Sequence, residues 1–163
     1  MTIIVKNKET LIFEDFTFKC CIGKNGTTNK KNEGDKKTPK GLFSLGSVYY
    51  RKDKNLKPIT KLNSIPINKS MGWCNDVESK KYNKLITVNK KIKHEKMFRK
   101  DYKYDYLIPI NYNTKNTKNG KGSAIFIHLS KNYNRTAGCV ALKKKDLLIL
   151  LKLINQKTKI KIL

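Results

Sequence analysis

The sequence has almost no arginine. Its 37 basic residues stand against 12 acidic ones, and only Arg51, Arg99 and Arg135 are arginine, so the formal charge of +25 is lysine charge. Arginine grips phosphates and base edges with paired N–H groups, and a nucleic-acid reader built without it is not expected. The lysines are spread along the chain beside abundant asparagine and isoleucine. They read as a solvated surface, with attraction to an anionic cell wall or membrane face as a by-product. No apolar run approaches the roughly 20 residues of a membrane span. The opening stretch, Met1 to Lys6, reads as a strand and lacks the three segments of a secretory signal.

Cysteine is scarce as well, at four residues. Cys20 and Cys21 are adjacent on an apparent strand and point to opposite faces, while Cys74 follows Trp73 in a polar loop. This is not a disulfide framework. There is no CxxC, no HxxxH and no acidic cluster beside the remaining cysteine and its neighbouring histidine, so neither metal nor cofactor is expected.

With 163 residues the chain is long enough for one core, and residues 1–163 read as a single domain without repeats. Leu11 to Phe13, then Phe16, Phe18 and Cys20, alternate as a strand on either side of a Glu14-Asp15 turn. Residues 23–40 read as a long exposed loop, with Gly41 allowing re-entry into a strand at Leu42 to Leu45. Residues 51–70 read as surface connections with one short strand, and Tyr104 to Ile110 as a further strand. Leu147, Leu150, Leu151 and Ile154 form an i, i+3, i+4, i+7 stripe that predicts a helix over 146–155. Thr158 to Leu163 returns as a strand. The class is mainly β, with long loops and one C-terminal helix.

The chemistry concentrates near the end. Ser123-Ala124-Ile125-Phe126-Ile127-His128 puts a histidine at the end of an apolar strand, and Thr136-Ala137-Gly138-Cys139-Val140-Ala141 follows a short polar loop. A thiol becomes a good nucleophile when an imidazole stabilises its thiolate. Gly138 permits a tight turn beside the sulfur, where backbone N–H groups could hold an oxyanion. Cys139 is the candidate nucleophile, His128 its general acid and base, and the N–H groups of Gly138 and Cys139 the candidate oxyanion donors. Both side chains also have a bland reading as ordinary buried residues.

The run from Gly122 to Leu151 resembles the L,D-transpeptidase (YkuD-type) catalytic domain, a cysteine peptidoglycan cross-linking family. There a strand-end histidine precedes a loop and Ser/Thr-x-Gly-Cys, matched by His128, Thr136, Gly138 and Cys139. Gly34 to Phe43, which holds Lys36-Lys37-Thr38-Pro39-Lys40-Gly41-Leu42-Phe43, resembles the family's Lys-x-Thr-Pro-x-Gly-x-Phe segment. Trp73 to Asp76 with Tyr82-Asn83, and His94 to Asp101 with Tyr104-Asp105, resemble one branch. Leu129, Ala137 and Ala141 stand where many members carry Gly, His and Arg or Asn. The alanines are usual in that branch.

The resemblance implies a compact β-sandwich or barrel and a cysteine acyltransferase. Its substrate would be a peptidoglycan stem tetrapeptide, attacked at the carbonyl before the terminal D-residue. Passing the acyl group to an amine is L,D-transpeptidation, and passing it to water is L,D-carboxypeptidation. A non-catalytic basic binding module is the reading from another class. The substrate carboxylate needs a cation, for which Arg99 and Arg135 are candidates, although Arg99 could instead pair with Asp101. Thr136 could contact substrate or brace its turn, and Trp73 and Tyr82 could line a peptide groove or belong to the core. The family substrate implies the periplasm or cell envelope. Without a visible signal, the chain is expected to be cytoplasmic as given or to lack its leader here.

Overall fold

The computed structural model describes residues 1–163. Alternating burial sets the first meander. Ile3 and Val5 of β1 (Thr2–Lys6) point inward, as do Leu11 and Phe13 of β2 (Thr10–Phe13) and Phe18 and Cys20 of β3 (Phe16–Cys21). Asn7 and Lys8, at φ 53° and 62°, turn the chain between β1 and β2, and Glu14, at φ 52°, turns it into β3.

A short parallel pair follows, β4 (Thr27–Thr28) with β5 (Thr38–Pro39). Next come β6 (Gly41–Ser44), β7 (Val48–Tyr50) and β8 (Ser64–Pro66), then β9 (Met71–Cys74), β10 (Leu85–Thr87) and β11 (His94–Lys96). The chain ends with β12 (Tyr106–Pro109), β13 (Phe126–Leu129), β14 (Val140–Leu142), the helix α1 (Lys144–Leu153) and β15 (Lys159–Ile162). Ten strands form one sheet in the order β6-β15-β1-β2-β3-β14-β13-β12-β7-β8, while β10-β9-β11 form a small second sheet.

The large sheet curls on itself. Leu45 bridges Ile110, the Gly46 N–H donates to the Pro109 carbonyl at 2.8 Å, and the Asn111 N–H donates to Ser44 at 2.9 Å. These bonds bring the β6 edge back against the end of β12. The architecture is the mainly β, barrel-like one expected, with its one helix near the C-terminus. That helix begins and ends two residues earlier than the stripe predicts. Ile154 already has extended backbone, ψ 158°, although its N–H still reaches the Leu150 carbonyl.

Two cores lie on opposite faces of the sheet. The larger is inside the curl, where Leu147, Leu150, Leu151 and Ile154 of the α1 stripe pack with Ile125, Ile127 and Leu129. Each fully buried side chain of this size contributes about 2 kcal/mol. The smaller core joins Trp73, Met97, Tyr104, Phe126 and Cys139 beside the second sheet. Residues 23–40 differ from expectation, because Thr38 and Lys31 are buried and the segment folds back over the body. Lys31 tolerates this because its ammonium meets Asp35 at 2.5 Å and the Asn32 carbonyl at 3.0 Å.

Candidate active site

The period-two geometry of β13 builds the site. Ile127 and Leu129 face the inner core, which turns Phe126 and His128 to the other side. β14 runs parallel to β13 with Ile127 opposite Val140 and His128 opposite Ala141, so Cys139 arrives opposite Phe126. The Phe126 N–H donates to the Cys139 sulfur at 3.4 Å, and the thiol donates to the Ala124 carbonyl at 3.3 Å. His128 and Cys139 line one cavity of about 370 Å³. The register thus brings the two candidate residues into a common space.

The imidazole is oriented by its own strand. Nδ1 lies 3.0 Å from the Leu129 carbonyl, which can only accept, so Nδ1 carries the hydrogen and Nε2 is left as the basic nitrogen. The Tyr104 ring packs edge-on against both His128, at 5.5 Å, and Phe126, at 5.8 Å. The Tyr104 hydroxyl donates to Glu95, another residue of the cavity wall. Burial pushes the Glu95 carboxyl above its usual range.

The resting charge state differs from the imidazole-stabilised thiolate that the sequence suggests. Burial, with the nearby Glu95 carboxylate adding, pushes the Cys139 thiol up to about 12. Burial likewise pushes His128 down to about 4, with Lys103 and Arg99 adding to the fall against the opposing bond to Leu129. At neutral pH both groups are therefore uncharged. The sulfur is hydrogen-bonded to backbone rather than to the imidazole.

The turn before Cys139 is held by Thr136. Its hydroxyl donates to the Cys139 carbonyl at 2.6 Å and accepts the Gly138 N–H at 3.1 Å, and its backbone bonds to Ile22 and Lys24. Thr136 braces the turn, and its hydroxyl is occupied. Gly138, at φ 142°, could not carry a side chain, since a Cβ there would lie 2.9 Å from the Lys37 carbonyl. Its N–H is already committed to Thr136, which corrects its assignment as a free oxyanion donor. The Cys139 N–H has no acceptor within the protein and is the donor that remains.

The other expected residues divide. Arg99 lines the cavity but is tied to Asp101 through two bonds of 3.0 and 2.6 Å, holding the Asp101 carboxyl down at about 2. Arg135 also lines the cavity and has only a loose partner, Glu9 at 3.9 Å. Trp73 and Tyr82 do not line it, which corrects their assignment to a groove. The Trp73 indole is buried and donates to Asn83 at 2.9 Å, and the buried Tyr82 hydroxyl donates to Glu33. Sequence reasoning missed Lys31, Glu33, Glu95, Lys103 and Tyr104 in the wall. For Glu95 and Tyr104 the available signal was their place in and just beyond the His94 to Asp101 segment. No group of three or more His, Cys, Asp or Glu side chains converges as metal ligands would.

Comparison with known proteins gives the family and the fold. The family model described as YkuD, L,D-transpeptidase catalytic domain, matches residues 1–162. Among solved structures, that of Bd1075 from Bdellovibrio bacteriovorus is similar over 99% of this chain and 47% of its own, with 18% sequence identity and a TM-score of 0.52. Identity this low speaks to the fold alone, and the chain spans about half the length of that structure. No curated protein sequence matches.

Proposed function

The chain belongs to the L,D-transpeptidase catalytic domain family, and from that premise we propose that it is a cysteine acyltransferase acting on peptidoglycan stem tetrapeptides. The observation that carries the reading is the β13–β14 register, which puts Cys139 and His128 in one cavity. Arg135, the less committed of the two cavity arginines, receives the carboxylate of the terminal D-residue.

The chemistry starts from a neutral pair. As the donor carbonyl comes against the sulfur, His128 Nε2 takes the thiol proton and the new C–S bond forms. The carbonyl oxygen becomes an oxyanion beside the Cys139 N–H, a donor of a kind worth roughly 3 kcal/mol. The tetrahedral species collapses, the C–N bond breaks, and the amine of the terminal D-residue leaves with the proton held on His128. A thioester on Cys139 remains. An acceptor amine then attacks it, gives its proton to His128, and releases the sulfur as a thiol. Because the resting thiol is protonated, its ionisation is coupled to attack rather than preceding it.

Water taking the place of the amine makes the same enzyme an L,D-carboxypeptidase. One experiment reads both outcomes. Purified protein incubated with disaccharide-tetrapeptide is expected to release the terminal D-residue and yield a cross-linked dimer, as read by mass spectrometry, and Cys139→Ala is expected to yield neither. Release without dimer at high acceptor concentration assigns hydrolysis. Equal products from the protein and Cys139→Ala overturn the proposal.

A further inference from the structure

The two most exposed large apolar side chains are three positions apart. Leu56 is 88% exposed and Ile59 is 72% exposed. Neither sits on a frayed tip. The Tyr106 hydroxyl donates to the Leu56 carbonyl at 2.9 Å, the Lys144 ammonium to the Asn55 side chain at 2.7 Å, and the Lys54 and Asn55 N–H groups to the Arg51 carbonyl. At the far end Lys61 bridges Asn155, and Leu62 is buried. A segment tied at both ends therefore holds leucine and isoleucine in water, at a cost its own hydrogen bonds do not relieve.

The surroundings are cationic. Lys52, Lys54, Lys57 and Lys61 lie in the same stretch, and Lys144 joins them through Asn55. The single acid of the stretch, Asp53, is taken up by Arg51 through bonds of 2.8 and 2.7 Å. Next to the stretch is a shallow hollow of about 550 Å³, with Ile67, Pro66 and Phe98 among its walls and Lys52 and Lys69 beside them. The same surface adjoins the catalytic cavity. Arg51 stacks on Phe98 and donates to the Arg99 carbonyl, and the Lys54 ammonium donates to the Lys100 carbonyl at 3.1 Å.

We propose that residues 52–61 dock the protein on an anionic lipid bilayer, with Leu56 and Ile59 entering the acyl boundary and the surrounding lysines meeting headgroup phosphates. The pairing of apolar and basic groups selects this occupant. A hydrated polyanion would meet the lysines but leave the two apolar side chains in water, whereas an anionic bilayer satisfies both. The inference is independent of the acyl-transfer reading, since neither Leu56 nor Ile59 lines the catalytic cavity.

Co-sedimentation with phosphatidylcholine vesicles, with and without phosphatidylglycerol, tests it. Binding is expected only with phosphatidylglycerol and is expected to weaken as salt rises. Leu56→Ser/Ile59→Ser should weaken it roughly tenfold, with an unchanged circular dichroism spectrum and unchanged turnover of a soluble donor. A tryptophan introduced as Leu56→Trp should shift its emission to the blue on adding the anionic vesicles. Three results overturn the proposal. One is no vesicle binding. Another is binding that the double serine variant leaves intact and soluble heparin abolishes, which is plain lysine adsorption. The last is a concentration-dependent dimer that the double variant dissolves, which makes the patch a self-interface.

Discussion

Asn83 holds Ala124 in the conformation that receives the thiol. The Asn83 side-chain oxygen accepts the Ala124 N–H at 3.1 Å and the Trp73 indole at 2.9 Å, while its amide donates to the carbonyls of Tyr112 and Asn113. Ala124, at φ 53°, is a non-glycine residue in left-handed backbone, a conformation that needs such support. Its carbonyl is the one the Cys139 thiol reaches. Trp73 is therefore linked to Cys139 through Asn83 and Ala124 without lining the cavity.

Removing that hub should be felt throughout the site. Asn83→Ala leaves an indole N–H, an amide N–H and two carbonyls without their partner in a buried place. A loss of about 3 kcal/mol is expected, read as a lower urea midpoint. Asn83→Asp keeps the acceptor oxygen but sets a buried carboxylate oxygen against the Tyr112 and Asn113 carbonyls, so it should recover little of the loss. If Asn83→Ala unfolds at the same urea concentration as the parent, the hub does not bear this load.

Acid sensitivity should carry the signature of His128. Its unfolded value is near 6.5 and its folded value about 4, so the neutral imidazole contributes stability that is complete above pH 6.5 and is lost between 6.5 and 4. The full effect is about 3 kcal/mol. Carboxylates held low, Asp101 at about 2 among them, act only in stronger acid. Urea unfolding at pH 7 and pH 4.5 should show the parent losing more stability than His128→Gln. Equal losses would remove the buried neutral imidazole from the account.

Cys139 should discriminate between electrophiles. A neutral alkylating agent that needs a free thiolate is expected to label it slowly at neutral pH, because the thiol ionises near 12. A carbapenem, which resembles the family's acyl donors, is expected to leave one covalent adduct on Cys139, and His128→Ala to suppress it. Peptide mass spectrometry locates the adduct. An adduct on Cys74, or equal labelling after His128→Ala, contradicts the proposed pair.

The two arginines of the cavity should behave differently. Arg135→Ala removes a guanidinium with only a distant protein partner, so KM for the tetrapeptide donor is expected to rise about tenfold with kcat little changed. Arg99→Ala breaks an internal pair instead and should lower thermal stability. Steady-state kinetics beside thermal melts separate the two. A KM effect confined to Arg99 would reverse the assignment.

What the sequence disclosed, and what it did not, follows from range. Short apolar runs, one glycine and the family resemblance singled out His128 and Cys139, and the two line one cavity. The α1 stripe was legible from local spacing. Trp73 and Tyr82 were misread because their polar heads find partners inside, Asn83 ten residues away and Glu33 forty-nine residues away. Nothing in local pattern announces such pairs. Lys31 looked like one more solvated lysine, and only its fit to Asp35, four residues on, lets it be buried. The Gly138 N–H looked free until Thr136 was seen to hold it.

The buried, protonated state of Cys139 also bears on how the protein ages. Peroxide attacks thiolates far faster than thiols, and oxidation to sulfenic and then sulfinic acid follows thiolate character and exposure. A cysteine that is buried, at 8% exposure for the whole residue, and ionises only near 12 offers peroxide little of either. The resting protein should thus outlast oxidative exposure that silences cysteine enzymes with a standing thiolate.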